Sequence, residues 1–553
     1  MQNSTRNSAL PEVRRWTQAR DSLSSALQCY LDTCLWFRDA SLQSSFRLNE
    51  PAAIFQTFDQ ELQNTPAYVS KLHKAHAALA VARNHSRKLV PINSLPREVL
   101  TRIFGIVTGF RREDPCPFLG TESLHRPDSL SEVCSFWNQL VKSTPSLWSC
   151  IELVVSRRMQ PNSYALASQF LRFSNGVPLS IRLVGRSYIE PEELNTLLEW
   201  LSSVVKRTYR LEACARSFDA SHLRAILACW LEHGNPWSLK EMDLGLMSWS
   251  TNVETLEIGP SNAASEGFGI PPERAQEFFK SITLLRLREI FFRWDRVTFG
   301  GLITLSLKGE AITEEHLIIL LSSNPGLCYL SLSLEITEVA AGKPAQAPVR
   351  LSNLQTLTIK TPSTSGIGCV LRSILPGARP LKMRVKSFGA DGTPVTALAE
   401  EKYFQDFFRW SNIITLGIGE YVTCYGDPAG TRVPWFPYIL NLLPCLGHLL
   451  IEKALLKSES ELILSASKTC KSIQSLCLRH CRVNLEILKP MIRAYSIQNL
   501  IILDCVVYGD ESWFSEYQTP EAVKEELSGF VPNLVCWWPY TTDIDPEWSW
   551  KTF

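Results

Sequence analysis

The chain has no large excess of charge of either sign. Lys plus Arg is 56 and Asp plus Glu is 55 over 553 residues, a net charge of +1. A nucleic-acid binder carries a basic excess or stripe. Here only Arg97, Arg102, Arg111 and Arg112 gather locally, a group that reads as a solvated helix face. Long apolar runs are also missing. The best candidate, Tyr438 to Ile451, is interrupted by Asn441, Pro444, Gly447 and His448, and a membrane span needs roughly 18 apolar residues. The opening MQNSTRNSALPEVRRW lacks the apolar stretch of a secretory signal. These absences predict an intracellular chain in the cytoplasm or nucleus, bound to neither nucleic acid nor membrane. Its 16 cysteines are then reduced thiols packing as small hydrophobes.

Familiar catalytic motifs are missing as well: there is no Walker loop, no H-E-x-x-H and no G-x-S-x-G. Gly267-Phe-Gly269 and Gly417-Ile-Gly419 lack the third glycine of a dinucleotide fingerprint and read as turn glycines. His73 and His76, three apart with no carboxylate or thiol partner, read as solvated. Cys477-Leu-Arg-His480-Cys481, with Cys470 nearby, is the one group whose thiolates and imidazole would suit zinc. The expectation is a protein that is not an enzyme and uses no metal or cofactor.

Apolar residues are 45% and charged residues 20% of the chain, which favours a large core over general disorder. Trp16, Leu23, Leu27, Tyr30, Leu31 and Cys34 recur at three- and four-residue steps and predict a helix over Pro11–Ala40. Beyond the breakers Asn49, Pro51 and Pro66, Leu72, Ala75, Leu79 and Ala82 predict a second helix from Tyr68 to Arg87. The two form an antiparallel hairpin or, alternatively, a short dimeric coiled coil. After Pro91, Ser94 as cap and Pro96 in the first turn predict a helix with Val99, Leu100, Ile103 and Phe104 on a broad apolar face. An irregular insert, Gly109–Asp128, follows. A further helix opens at Asp128 or Ser129 and carries Leu130, Val133, Trp137 and Leu140 on one stripe, closed by Pro145, Leu147 and Trp148.

From about residue 150 a pattern L-x-x-L-x-L recurs. Its copies begin at Leu239, Val253, Leu302, Leu327, Leu354, Ile413, Leu446, Ile473 and Leu500; Leu381 falls 27 residues after Leu354 but fits poorly. From 302 to 327 is 25 residues, and from 327 to 354, 446 to 473 and 473 to 500 is 27 each. Those steps match the period of leucine-rich repeats. Amphipathic helices are predicted between copies, at Thr313–Leu321, Ser460–Leu464 and Asn484–Leu488, and upstream at Pro191–Val205 and Asp219–Glu232. A strand and a helix per repeat must stack to bury their apolar faces, which predicts a curved solenoid. In this register Cys481 takes the ninth position, where the consensus has Asn or Cys, and turns inward; Cys505 lies on a strand. The Trp-rich end, with Trp537, Trp538, Trp548 and Trp550, reads as a cap on the last repeat or as a binding platform.

The segment LPREVLTRIF (Leu95 to Phe104) resembles the first helix of the F-box, and LSEVCSFWNQLVKSTPSLW (Leu130 to Trp148) resembles the rest of it. The repeats behind it look like those of the leucine-rich F-box proteins. The resemblance implies docking onto a Skp-type adaptor, and through it a cullin–RING ubiquitin ligase of the SCF type, with the repeats selecting an unknown protein substrate. It implies an adaptor-facing set of Leu95, Pro96, Val99, Leu100, Ile103, Val133 and Trp137. The F-box core would be Phe104, Leu130, Cys134, Leu140, Pro145, Leu147 and Trp148. The insert after Phe104 departs from the compact F-box. The expected architecture is α/β: a helical hairpin or coiled coil (1–90), an F-box-like module (91–152), a curved leucine-rich-repeat solenoid (153–535) and a Trp-rich acidic cap or tail (536–553). The expected function is substrate recognition for a ubiquitin ligase; the alternative is an interaction scaffold without a ligase.

Overall fold

Apolar residues at alternate strand positions are stable only if something covers that face of the sheet. In this computed structural model the repeat strands pair side by side and helices cover one face. The structure describes residues 9–42, 51–85, 90–108, 127–155, 161–185, 189–215, 220–246, 254–256, 271–294, 297–338, 347–387, 402–419, 442–453, 455–456, 472–508 and 518–537. By packing, the chain divides into residues 1–96 with 134–136, and residues 97–133 with 137–553.

The second unit contains a 14-stranded parallel sheet. It begins with β1 (Cys150–Val155), β2 (Leu179–Gly185), β3 (Thr208–Ala215) and β4 (Glu241–Leu246). It continues with β6 (Leu284–Arg288), β8 (Thr304–Thr313), β9 (Tyr329–Thr337), β11 (Thr356–Thr361) and β13 (Leu381–Ser387). It ends with β14 (Ile413–Gly419), β15 (His448–Glu452), β17 (Ser475–Arg479), β19 (Asn499–Leu503) and β21 (Asn533–Trp537). The other strands make small parallel sheets: β5 (Glu254–Leu256) with β7 (Ile290–Phe292), β10 (Val349–Leu351) with β12 (Ile374–Pro376), and β16 (Leu455–Leu456) with β18 (Arg482–Asn484) and β20 (Val506–Tyr508).

The register aligns one apolar position across the whole sheet. Ile151, Ile181, Leu211, Met242, Leu285, Leu305 and Leu330 stand opposite one another in turn, followed by Leu357, Met383, Leu416, Leu449, Leu476, Leu500 and Leu534. All but Leu534 are buried, and so is the matching ladder two residues on, from Leu153 to Cys536. Full burial of one such side chain is worth about 1.5–3 kcal/mol. Helices between the strands pack on the sheet, among them Pro161–Phe173 on β1, Glu314–Ser322 on β8, Thr364–Ser373 on β9 and β11, and Pro520–Leu527 on β21. Four residues that end strands, Glu289, Lys453, His480 and Asp504, adopt left-handed backbone with φ of 50–57°. The turn keeps the ladder bonded: Lys453 N–H donates to Arg479 O (2.9 Å) and His480 N–H to Leu503 O (3.0 Å).

Several expectations are revised. The copy at Val253 is not in the main sheet: its described part, β5, pairs with β7, because β6 takes the place beside β4. Strands β1, β2, β3, β6 and β21 join the sheet without having been singled out, and the poorly fitting Leu381 segment is β13. The packing boundary after Pro96 falls inside the 91–152 segment. Trp148 packs on Phe170 and Phe173 of the next helix, with ring centroids 5.2 and 4.6 Å apart, and ties it to the sheet. The helix expected from Asp128 to Leu140 breaks into Pro127–Ser131 and Ser135–Lys142, where Asn138 Nδ2 donates to Ser131 O (3.1 Å) and satisfies the broken end. Ser94 does not cap a helix; its hydroxyl donates back to Pro91 O (2.6 Å).

The first unit holds two long helices, α1 (Ala9–Leu42) and α2 (Pro51–His85). Pro66 sits inside α2 rather than before it, forfeiting one backbone bond without ending the helix. Tyr30 Oη donates to Glu61 Oε1 (2.9 Å) and Phe37 meets Phe58 edge-on, which are intrachain hairpin contacts. The Ser460–Leu464 helix, the insert from 109 to 126, Cys470 and Trp538, Trp548 and Trp550 lie outside the described residues.

Asn324, 1% exposed, ties one repeat to the last: its Oδ1 accepts from Leu302 N–H (2.9 Å) and its Nδ2 donates to Leu320 O (2.8 Å). Asn324→Ala orphans a buried donor and a buried acceptor, so it should destabilise the fold by about 2–4 kcal/mol. The urea midpoint of the variant against the native chain measures this, and an unchanged midpoint contradicts it.

Candidate protein-interaction surfaces

The helix Arg97–Val107 is amphipathic, and the structure sorts its residues by face. Leu100 and Phe104 are fully buried, and Phe104 lies 4.7 Å from the Trp137 ring. Leu100 therefore belongs to the core rather than to an adaptor-facing surface, and half-buried Trp137 packs against that core. The outward face carries Val99 (42% exposed), Ile106 (65%) and Val107 (41%), with Ile103 half-buried at its edge. Ile106 and Val107 were missed because the resemblance stops at Phe104. Val133 is 55% exposed. Leu95 is half-buried and Pro96 exposed, both in the first unit. Of the expected core, Leu140, Leu147 and Trp148 are buried, and Trp148 Nε1 donates to Val141 O (2.9 Å). Leu130, Cys134 and Pro145 are only half-buried.

The larger surface is the sheet face opposite the two apolar ladders. Strand alternation puts on it every second residue between the ladder positions. Along it the chemistry changes in three zones. Over β1 to β6 it is a balanced ion-pair lattice. Arg182 contacts Glu152 (3.3 Å) and Glu212 (3.2 Å), Arg210 reaches Glu241 (3.4 Å), and Arg288 binds Asp243 (2.8 Å) with Arg286 behind it (3.8 Å). Burial, reinforced by Asp243, pushes the Glu212 carboxyl up despite Arg182 and Arg210.

Over β8, β9, β11 and β13 the same face reads Thr304, Ser306 and Lys308; Tyr329, Ser331 and Ser333; Thr356, Thr358 and Lys360; and Lys382, Arg384 and Lys386. These twelve positions are hydroxyls or cations, and β9 adds Glu335 on the same face. Over β15 to β21 the face turns apolar: Leu450, Cys477 and Leu503 form a buried cluster with Ile501 beside it, and Val535 is exposed.

Glu452 on β15 joins the second and third zones. Its carboxylate, 3% exposed, lies 2.6 Å from Arg384, 2.5 Å from Lys386 and 3.6 Å from Arg479. Arg384 and Lys386 reach it across β14, where Gly417 and Gly419 face them. A Cβ at Gly419 would stand 2.7 Å from the Lys386 stem. Both glycines lie in the strand rather than in the turn expected for them, and Gly419 leaves room for the Lys386 stem. Burial raises the Glu452 carboxyl, but Arg384 and Lys386 outweigh it and hold the group below the usual carboxylate range. Burial, with Arg384 close by, brings the Lys386 amine down to about 8.

The suggested zinc group is taken apart by the fold. Cys477 faces the open side in the apolar cluster. Cys481 is buried, with its N–H on Cys505 Sγ (3.4 Å), as the repeat register expects, and His480 Nδ1 pairs with Asp504 (2.7 Å). Among the described residues no cluster of three or more metal-ligating side chains occurs, and no helix is long and apolar enough to cross a membrane.

Replacing Glu452 by Gln removes the carboxylate shared by Arg384, Lys386 and Arg479 and should cost about 3–5 kcal/mol. Because the folded carboxyl titrates below its ordinary 4.5, its contribution is complete above that pH and is lost as pH falls through the lower folded value. Denaturation midpoints of native and Glu452→Gln protein should therefore converge on acidification. A constant gap from neutral to strongly acidic pH contradicts this account.

No model of a known protein family matches the chain, and no curated protein matches it in sequence. Among solved structures, one described as the crystal structure of the Rad7 and Elc1 complex in yeast is similar at 12% identity, over 91% of this chain and 97% of that one, with a TM-score of 0.31. A likeness at that score carries no argument about fold or function. What stands is a mixed α/β chain with N-terminal helices and a large parallel sheet of 14 strands.

Proposed function

We propose that this chain is a non-enzymatic recognition adaptor, in which the open face of a curved leucine-rich-repeat solenoid holds a target protein and the F-box-like segment docks a Skp-type adaptor of a ubiquitin ligase. The observation that carries the recognition role is the sheet face itself: fourteen strands present one continuous surface graded from ion-paired through cationic to apolar. Such a surface offers many side chains to a partner. The adaptor role rests on the F-box resemblance, supported by the outward apolar side chains Val99, Ile103 and Ile106 on the helix that carries it, with Val133 also exposed. Exposed apolar side chains clustered on one helix face are the usual mark of a docking site. Catalysis would belong to the ligase, and the chain's contribution would be effective concentration of the target.

The test is capture of a purified Skp-type adaptor by the native chain and by Val99→Asp/Ile106→Asp, two outward positions that leave the core untouched. Binding by the native chain, weakened at least about tenfold in the variant as expected for a lost apolar anchor, supports the adaptor reading. No binding by well-folded native protein sinks it and leaves an interaction scaffold without a ligase.

A further inference from the structure

We infer that the helical hairpin of the first unit is a self-association surface, which pairs with the same hairpin of a second copy of this chain, α2 against α2 in antiparallel. Such pairing is independent of the adaptor reading. Among the described residues of α1 and α2 none is buried, although a helix draws most of its stability from packing an apolar face. Sixteen of the 27 large apolar side chains exposed among the described residues lie on these two helices. The helices shield one another chiefly where Phe37 meets Phe58, and both rings are half-buried there. Trp16, Leu23 and Leu27 on α1 and Tyr68, Leu72 and Leu79 on α2 remain 40–49% exposed. At roughly 80 Å² for half of one such side chain, sixteen of them present about 1,300 Å², above the roughly 800 Å² per partner of a standard interface.

The spacing along α2 indicates what covers it. Phe58, Glu61, Tyr68, Leu72 and Leu79 recur at steps of three, four and seven, the seam of a helix pair. The contacts of Phe58 with Phe37 and of Glu61 with Tyr30 turn that seam toward α1. Beside it runs a second column at heptad spacing, Phe55, Leu62 and Val69, continued by His76. Its apolar members are 60%, 70% and 45% exposed. Two paired helices need only the seam; a further apolar column is the pattern of a helix with a second neighbour, as in a bundle. The column is centred near residue 66. A second α2 laid antiparallel about that point sets Leu62 against Val69 of the other copy and Phe55 against His76. The contact is then twofold and self-complementary, the arrangement of most homo-oligomers. Helices of 34 and 35 residues are about 50 Å long, and a second copy supplies partners of the same length.

Charge selects the antiparallel direction. From 51 to 70 α2 carries Asp59 and Glu61 and no cation; from 71 to 85 it carries Lys71, Lys74 and Arg83 and no acid. The helix macrodipole does not account for this, because its influence is confined to the first and last turns. Nor does α1 neutralise the gradient. Antiparallel order sets its first half, with Arg14, Arg15 and Arg20 against Glu12 and Asp21, toward the basic half of α2. Among the described residues the ion pairs of the hairpin join sequence neighbours, Arg20 with Asp21 (2.7 Å) and Arg38 with Asp39 (2.8 Å). A second α2 in reverse places each acidic half on a basic half and brings Asp59 opposite His73 of the other copy. A parallel one sets like charge on like. His73 and His76, both exposed in the single chain, thereby enter the contact.

The experiment is sedimentation equilibrium of the full-length protein, with photocrosslinking as its second arm. The native chain should sediment at twice its monomer mass at tens of micromolar. Leu62→Asp/Val69→Asp should weaken association at least about tenfold, as loss of a central apolar anchor does. Asp59→Lys and His73→Asp should each weaken it about tenfold, because symmetry makes every contact twice. An equimolar mixture of those two chains should recover the dimer, which also shows that both are folded. A photoreactive phenylalanine analogue at position 55, in a mixture of isotopically light and heavy chains, should couple to residues near His76. Those positions are 21 residues apart, about 31 Å along one helix, so the product forms only between antiparallel copies. A monomer at tens of micromolar, a dimer unmoved by Leu62→Asp/Val69→Asp, no recovery in the mixture, or coupling of position 55 to its own counterpart or to the repeats overturns the inference.

Discussion

Everything in the second unit depends on one register constraint: each strand pairs in parallel with the next so that equivalent apolar positions stay opposite each other. The ladder from Ile151 to Leu534 never slips to the other face, although β2–β3 and β13–β14 each absorb an irregularity near the strand start. A one-residue slip would turn every buried leucine outward and every charged residue inward. Because the ladder positions are nearly all fully buried, that slip is prohibitive, and the opposite face is thereby defined as well. The same alternation that buries Leu305 and Leu307 presents Ser306, and the same that buries Met383 and Val385 presents Arg384.

The charges on that face are organised by neighbours distant in sequence. Asp243 meets Arg288 across 45 residues, and Arg384 meets Glu452 across 68. Such pairs contribute little net stability in a desolvated setting, because removing both charges from water offsets most of their attraction. Their effect is positional: they hold long side chains in one arrangement over the sheet. Where acids balance arginines, on β1 to β6, the face is electrostatically complete. On β8 to β13 the face carries Lys308, Lys360, Lys382, Arg384 and Lys386, with Glu335 on β9. The apolar cluster of Leu450, Cys477 and Leu503 bounds that surface on the other side.

The F-box-like segment follows a different logic. A short amphipathic helix commits its inward side chains to a core before any outward ones can serve a partner. Leu100 and Phe104 take the inward places, Phe104 packing at a tilt against Trp137, and Trp148 carries the segment onto the first repeat helix through Phe170 and Phe173. The motif residues therefore serve two purposes, and a resemblance in sequence does not say which residue serves which.

Much of this was legible in the sequence. The apolar steps of three and two in L-x-x-L-x-L marked most strands of the sheet, because that spacing reflects burial on one face and nothing else imposes it. The period near 27 residues carried the strand–helix alternation, and the ninth-position cysteine carried the inward turn of Cys481. Legibility failed where local pattern and tertiary place diverge. β5 has the right pattern and the wrong neighbours; β1 to β3 have weaker patterns and the right ones. Gly419 read as a turn glycine because the Lys386 side chain that needs its missing Cβ comes from another strand. Leu100 was placed outward by the F-box resemblance, which does not show what lies against it. The sequence by itself determined which residues must be buried and at what period, since hydrophobic burial is written in spacing. Which residues share the opposite face, and so where charge accumulates on it, was decided only by the tertiary structure, because the register brings together side chains that no local pattern connects.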